Sequence, residues 1–217
     1  MQIADRLADF PVKAMELGEL RPAAVLVPLF LRAEEPWILL TRRSEQLKKH
    51  SGEISFPGGG AEERDADFWQ TALRETEEEV GIRAEDVQRL GRLDDFYSVH
   101  DYRVSVFVGS YPDAYPYQAD RGEIAEIIEL PLTRLRDPLI YRQEDWRHKG
   151  RLIPVDFYQL EGHTIWEMTA AILKQLLKRT ESEVSAFRPS AEPVAGRAAP
   201  VHRGRIDRHS RRSVGGR

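Results

Sequence analysis

At 217 residues the chain has room for one domain with a substantial core, and a second full domain is not expected. Hydrophobic residues make up 41% and charged residues 31%, an ordinary soluble balance, and no run of 18 apolar residues suggests a membrane span. Zero cysteines exclude disulfides, thiolate metal sites and a cysteine nucleophile. The net charge of −4 is uneven, because the stretch 188–217 sets eight Arg against Glu192 and Asp207 and leaves the rest strongly acidic. An acidic body argues against a nucleic-acid surface, while the basic tail leaves RNA, DNA or acidic lipid open. The opening MQIADRLADF does not read as a secretory signal, so cytoplasmic placement is the default expectation.

In chain order, the first ~18 residues carry Ile3, Leu7 and Phe10 at helical spacing. Ala23 to Leu31 is a near-continuous apolar run, expected as a buried strand, with Trp37 to Thr41 as its partner across an AEEP turn. A charged, glycine-rich loop follows through Gly58, Gly59 and Gly60. From about Asp65 to Val80 the pattern is helical, and Gly81 supplies the C-cap. Val104, Val106 and Val108 alternate as a strand, and Ile124 to Leu130 forms another. Pro131 begins a helical turn, Leu139 to Tyr158 holds a hairpin around Lys149-Gly150, and a last amphipathic helix is expected over Ile165 to Lys178. Residues 1–182 are read as the domain and 183–217 as a basic, disordered tail. The fold expected is α/β, a mixed sheet packed between helices.

The helix over 65–80 holds the chemistry. Advancing about 100° per residue from Glu75 puts Glu78 at roughly −60° and Glu79 at roughly +40°, so three carboxylates share one arc. Trp69, Ala72, Leu73, Thr76 and Val80 form the core stripe, and Glu77 falls on the far side. Arg74 stands at the edge of the arc, within reach of Glu78. Clustered carboxylates repel one another, and a hard divalent cation removes that penalty while pairing them with substrate phosphates. The glycines ahead of the helix let backbone amides approach a phosphate closely.

Gly60 through Ile82 resembles the Nudix box, G-x5-E-x7-R-E-U-x-E-E-x-G-U, with U aliphatic. Gly60, Arg74, Glu75, Glu78, Glu79, Gly81 and Ile82 match it. Thr76 stands at an aliphatic position, and Ala66 stands where the pattern has its first Glu, with Asp65 beside it as a partial substitute. The resemblance implies a Nudix-type α/β/α sandwich and an enzyme that hydrolyses phosphoanhydride bonds with Mg²⁺ or Mn²⁺. It assigns Glu75, Glu78 and Glu79 to the metal, and Arg74 to orienting them. The general base is expected among carboxylates near the metal, with Glu79 and Glu123 the leading candidates and Glu126 less favoured.

Upstream, Leu39 to Gly59 reads LLTRRSEQLKKHSGEISFPGG, which resembles the segment marking the coenzyme A pyrophosphatase branch, L-L-T-x-R-[SA]-x3-R-x3-G-x3-F-P-G-G. Lys48 replaces its second Arg. Trp166 with Thr169-Ala170 is similar to the branch's I-W-G-x-T-A stretch, with Glu167 in place of its Gly. Arg42, Arg43, Lys48 and His50, with Gly58, Gly59 and Gly60, are the expected substrate-binding residues. His100 reads as structural. The implied ligand is a nucleotide of the coenzyme A type; a homodimer is compatible with the reading, and no membrane is involved. Two other readings stay open: a Nudix pyrophosphatase acting on ADP-ribose, NADH or a damaged nucleotide, and a non-catalytic nucleotide- or RNA-binding module.

Overall fold

The computed structural model describes residues 2–46, 50–98, 100–148 and 150–181. The tail expected over 183–217 and the substrate-binding candidate Lys48 lie outside the described residues. Among the described residues no helix is long and apolar enough to cross a membrane.

The apolar run becomes β1, Arg21–Arg32, and its partner β2, Glu35–Arg43, pairs antiparallel with Arg32 opposite Glu35. Only Ala33 and Glu34 form the turn, both at positive φ (+50° and +64°), as a two-residue hairpin of matching twist requires. Two short strands follow, β3 at Ile54–Ser55 and β4 at Gly58–Gly60, then helix α2 at Phe68–Val80. Strands β5 (Gln88–Arg92), β6 (Phe96–Ser98), β7 (Tyr102–Ser110) and β8 (Ile124–Pro131) complete a mixed eight-stranded sheet. Its centre is the parallel pair β1–β7, with β2 on the far side of β1 and β4 antiparallel along Ala23–Val25.

Both faces of β1 are buried, which explains its lack of alternation. Ala24 and Leu26 pack with Ala72 of α2 and with Phe107. Ala23, Val27 and Leu29 face the larger core, which includes Ala170, Ile172, Leu173, Leu176 and Leu177 of the last helix, α4, Glu167–Arg179. Helices therefore cover both faces of the sheet, the α/β/α arrangement the sequence implied.

Two boundaries differ from the sequence reading. The first helix, α1, spans only Gln2–Ala8, and Phe10 is exposed. Pro11 disfavours helical backbone before it and supplies no N–H. Lys13 N–H instead donates to Asp94 Oδ1 and Met15 N–H to Asp95 Oδ2, each at 2.9 Å. At the other end, His163–Trp166 forms a strand rather than the start of a helix.

That strand, β11, belongs to a second, three-stranded sheet with β9 (Tyr141–His148) and β10 (Arg151–Leu160), while the turn after β8 is a single helical turn, α3, at Leu132–Leu135. Pairing of Ile165 with Tyr158 and Trp166 with Phe157 holds β11 extended. Tyr158, Leu160 and Ile165 join the main core. The distal half of the β9–β10 hairpin is largely exposed on both faces.

Candidate active site

Helix α2 is fixed at both ends. Asp67 Oδ1 accepts the Gln70 N–H at 2.8 Å, and Gly81, at φ +77°, ends the helix by donating its N–H to Glu77 O. Its core side holds Thr71, Ala72, Leu73, Thr76 and Val80. The hydroxyl of fully buried Thr76 donates to Ala72 O at 2.6 Å, so a polar group at an aliphatic position is satisfied without leaving the helix.

The carboxylate arc divides by depth. Glu79 is 5% exposed and sits behind β4, where Oε2 accepts the Gly58 N–H at 3.3 Å and Oε1 lies 3.5 Å from Arg43 Nη1. Burial pushes the Glu79 carboxyl up to about 8; Arg43 and the Gly58 N–H oppose the rise, and Glu75 and Glu123 add to it. Burial likewise raises Glu75, against the pull of Arg74. Glu78 is half exposed and pairs outward with Arg64 and Arg74, each at 3.1 Å. Glu123, ahead of β8, reaches Arg43 at 3.9 Å.

The glycines explain how closely this wall approaches β1 at Gly58 and the helix at Gly59. A Cβ on Gly58 would lie 2.4 Å from Ala24 O, and one on Gly59 2.5 Å from the Glu75 carboxyl carbon. Gly60 differs: a Cβ there would meet open space, and its role is a carbonyl that accepts from Arg74 Nη2 at 2.9 Å.

Arg74 is the hub of the network. Its Nε and Nη2 donate to the two oxygens of Asp65 at 3.0 and 3.1 Å, and Nη1 donates to Glu75 Oε1 at 2.9 Å and Glu78 Oε2 at 3.1 Å. The Arg74 guanidinium holds the Asp65 carboxyl well below the usual carboxylate range, assisted by the Glu62 N–H and the Thr71 hydroxyl. Asp65 thus supplies the anchor beside Ala66, gripping the arginine rather than pointing with the carboxylates.

These donors suit a divalent cation. Among the described residues the buried Glu79 carboxylate faces two other acids and one long arginine contact, a charge deficit that a hard cation would correct. Glu75 and Glu79 could supply the deep half of such a donor set and Glu78 its rim. Among the described residues no three acidic or histidine groups stand in a ready-made cage, because Arg74 and Arg64 hold Glu78 outward.

The remaining candidates separate. Arg43, His50, Gly58, Gly59 and Gly60 all line one cavity of about 670 Å³ between the large sheet, the small sheet and the start of α4. Arg42, adjacent in the strand, pairs with Glu126 at 2.7 Å and lines a neighbouring outer cavity instead. His100 lies in the inner cavity, its ring 4.7 Å from that of His50, so the sequence reading of it as structural missed a place on the site wall. Glu53 was missed too: its Oε2 is 2.7 Å from His50 Nδ1. Fifty residues separate His50 from His100, and no local pattern joins them.

The NUDIX domain family model matches residues 20–152. NudL of Photorhabdus laumondii, described as an uncharacterized Nudix hydrolase, is 39% identical over 161 residues, 74% of this chain and 86% of its own length. The Escherichia coli SMS-3-5 protein of the same description is 37% identical over 167 residues, 72% and 81% of the two chains. Among solved structures, a NUDIX hydrolase from Alicyclobacillus acidocaldarius is 19% identical and covers 80% of this chain and 98% of its own, with a TM-score of 0.49. A C. elegans Ap4A hydrolase binary complex is 22% identical over 51% and 80% of the two chains, with a TM-score of 0.45. By its family match and these relatives, the chain belongs to the Nudix hydrolases and is an enzyme of that class.

Proposed function

We propose that this enzyme is a Mg²⁺- or Mn²⁺-dependent pyrophosphatase that hydrolyses the diphosphate of coenzyme A or its derivatives to adenosine 3′,5′-bisphosphate and a 4′-phosphopantetheine product. One observation carries the reading. Arg43, from the LLTRRS segment, stands between Glu79 and Glu123 beside Gly58 and Gly59 of the FPGG segment. That the stretch resembling the coenzyme A branch lies against Glu79 and lines the same cavity as Gly58 and Gly59 supports the reading.

Glu75 and Glu79, with Glu78 at the rim, would hold the cation. When bound, it neutralises diphosphate charge and lowers the pKa of water. The chain's own groups do the rest. Gly58 and Gly59 keep the wall free of side chains, so a diphosphate can lie against backbone. Arg43 supplies a fixed positive charge beside the buried acids. Arg74, gripped by Asp65, orients Glu75 and Glu78. Glu123, half exposed beside Arg43, is the candidate base, taking a proton on a carboxylate oxygen as water oxygen bonds to phosphorus and the bridging P–O bond breaks. The inner cavity takes one arm of the substrate, and His50, beside Glu53 and His100, offers a partner for an additional phosphate.

The test is incubation with coenzyme A, its thioesters, ADP-ribose and NADH in Mg²⁺ or Mn²⁺, with products resolved chromatographically. Release of adenosine 3′,5′-bisphosphate at the highest kcat/KM of the panel supports the reading. Preferential cleavage of ADP-ribose overturns the substrate, and ligand binding without turnover in any metal overturns the activity.

A further inference from the structure

We infer that the outer part of the substrate cleft is a stacking platform for a flat heterocyclic base, built by Trp146 and Trp166 of the small sheet. The inference rests on the reading above that a diphosphate lies along Gly58 and Gly59.

The strand register places the rings. Trp146 pairs with Ile153 and Phe157 with Trp166, so these side chains share one face of the three-stranded sheet, together with Val155. The opposite face, through Tyr158, Leu160 and Ile165, is buried in the main core. On the free side Trp146 lies 5.5 Å from Trp166 and 5.7 Å from Phe157, centroid to centroid, tilted by 47° and 50° to them, while Phe157 and Trp166 lie within 12° of parallel; a flat ring can stack on one indole and meet the other at an angle.

Arg142 lies over the Phe157 ring at 4.5 Å, and the two indoles face a cavity. The aromatic face forms one wall of this outer cavity of about 520 Å³, with Arg42, Ser51 and Glu53 opposite. Trp166, Glu53 and Ile54 line both this cavity and the inner one that carries Gly58–Gly60, so the two share a wall. The indoles therefore stand next to the space in which a diphosphate at the glycines would lie.

Packing on Trp166 and Phe157 covers only part of Trp146, which remains 43% exposed on a strand whose neighbours Gln143, Glu144, Asp145 and Arg147 are all exposed. The uncovered part of the ring faces the cavity, where a flat ligand can lie on it. Base–aromatic stacking fits that geometry, and the hydroxyls of Ser51 and Thr164 with the Glu53 carboxylate offer donors and acceptors to a base edge. A second copy of the chain fits less well, because mixed charges crowd the hairpin around the ring and the aromatic face is set inside a cleft.

Two measurements on the full chain decide it. Intrinsic tryptophan fluorescence is titrated with adenosine 3′,5′-bisphosphate and, as the base-free control, ribose 5-phosphate. Quenching by the first alone is expected. It should vanish in Trp146→Ala and persist in Trp37→Phe, whose ring packs with Phe30 elsewhere. Steady-state kinetics are then run on whichever nucleotide diphosphate the panel shows to be cleaved. Trp146→Ala should raise KM by about 10- to 100-fold while kcat changes far less.

Absence of nucleotide-dependent quenching, or an unchanged KM in Trp146→Ala, overturns the platform. So does a drop in molar mass by light scattering in that variant, which would make the face a contact between copies. The two readings fail separately. If ADP-ribose is cleaved in place of coenzyme A, the substrate assignment falls and stacking is still read with ADP-ribose. If coenzyme A is cleaved and Trp146→Ala has a normal KM, only the platform falls.

Discussion

Helix α2 and the β9–β10 hairpin are both rich in charge, and they use it in opposite ways. On α2 the charges are drawn inward: Glu79 is buried, Arg74 is largely covered, and a single guanidinium touches Asp65, Glu75, Glu78 and the Gly60 carbonyl. On the hairpin Arg142, Glu144, Asp145 and Arg147 are exposed, with pairs such as Arg142–Glu144 at 2.9 Å in open solvent. Surface pairs of that kind contribute little to stability, whereas breaking a covered network leaves a charge without a partner. The difference teaches where function is rigid. The wall proposed for hydrolysis is locked by the fold, and the surface proposed for recognition is free to vary.

Substitutions can break or sharpen that contrast. The largest effect is expected on α2: Glu79→Gln should lower turnover by about 100-fold or more, while thermal unfolding stays near that of wild type because the amide fills the same buried space. A large loss of Tm with turnover retained would show Glu79 to be structural. Next comes Asp65→Ala, which strips Arg74 of its two-point anchor. Turnover should fall about tenfold or more, and stability should fall by about 1–3 kcal/mol in urea titration.

Asp65 also carries a pH signature. Its folded pKa is depressed by Arg74, so the stability it contributes is full above its unfolded value, ~3.9, and is lost as pH falls through the lower folded value. Asp65→Asn should therefore lose less stability than wild type when the pH is lowered below about 4. Equal acid sensitivity of the two proteins would remove Asp65 from the network.

Smaller effects belong to the start of α4 and to the second sheet. Glu167 sits at φ +54°, a left-handed conformation that disfavours residues with a Cβ, and the branch's pattern has Gly there. Glu167→Gly should raise stability by about 0.5–1 kcal/mol, seen as a higher Tm. The smallest change is expected at the hairpin tip, where Leu152, 61% exposed, should tolerate Ser within about 0.5 kcal/mol. A cost of several times that would show the hairpin to be covered in solution.

The half proposed for hydrolysis was legible because its information is local. Gly60, Arg74, Glu75, Glu78, Glu79 and Gly81 lie within one 22-residue stretch, and helical spacing alone puts the acids on one side. Depth was not legible. A helical wheel treats Glu78 and Glu79 as near equals, yet β4 covers one and leaves the other to Arg64. Ala66 read as a flaw until the structure set Asp65 on Arg74, because a hydrogen bond depends on where a loop carries a side chain rather than on its position in a pattern.

By itself the sequence determined the central buried strands, the helix α2 with its Gly81 C-cap and the acidic arc, since periodicity, glycine at a C-cap and apolar runs are short-range properties. Only the tertiary structure decided that the chain bends into a second sheet at His163–Trp166, that Arg43 stands with Glu79 and Glu123, and that His100 meets His50. Each of those joins segments tens of residues apart, and such contacts follow from packing the two sheets around one core, which no local pattern encodes.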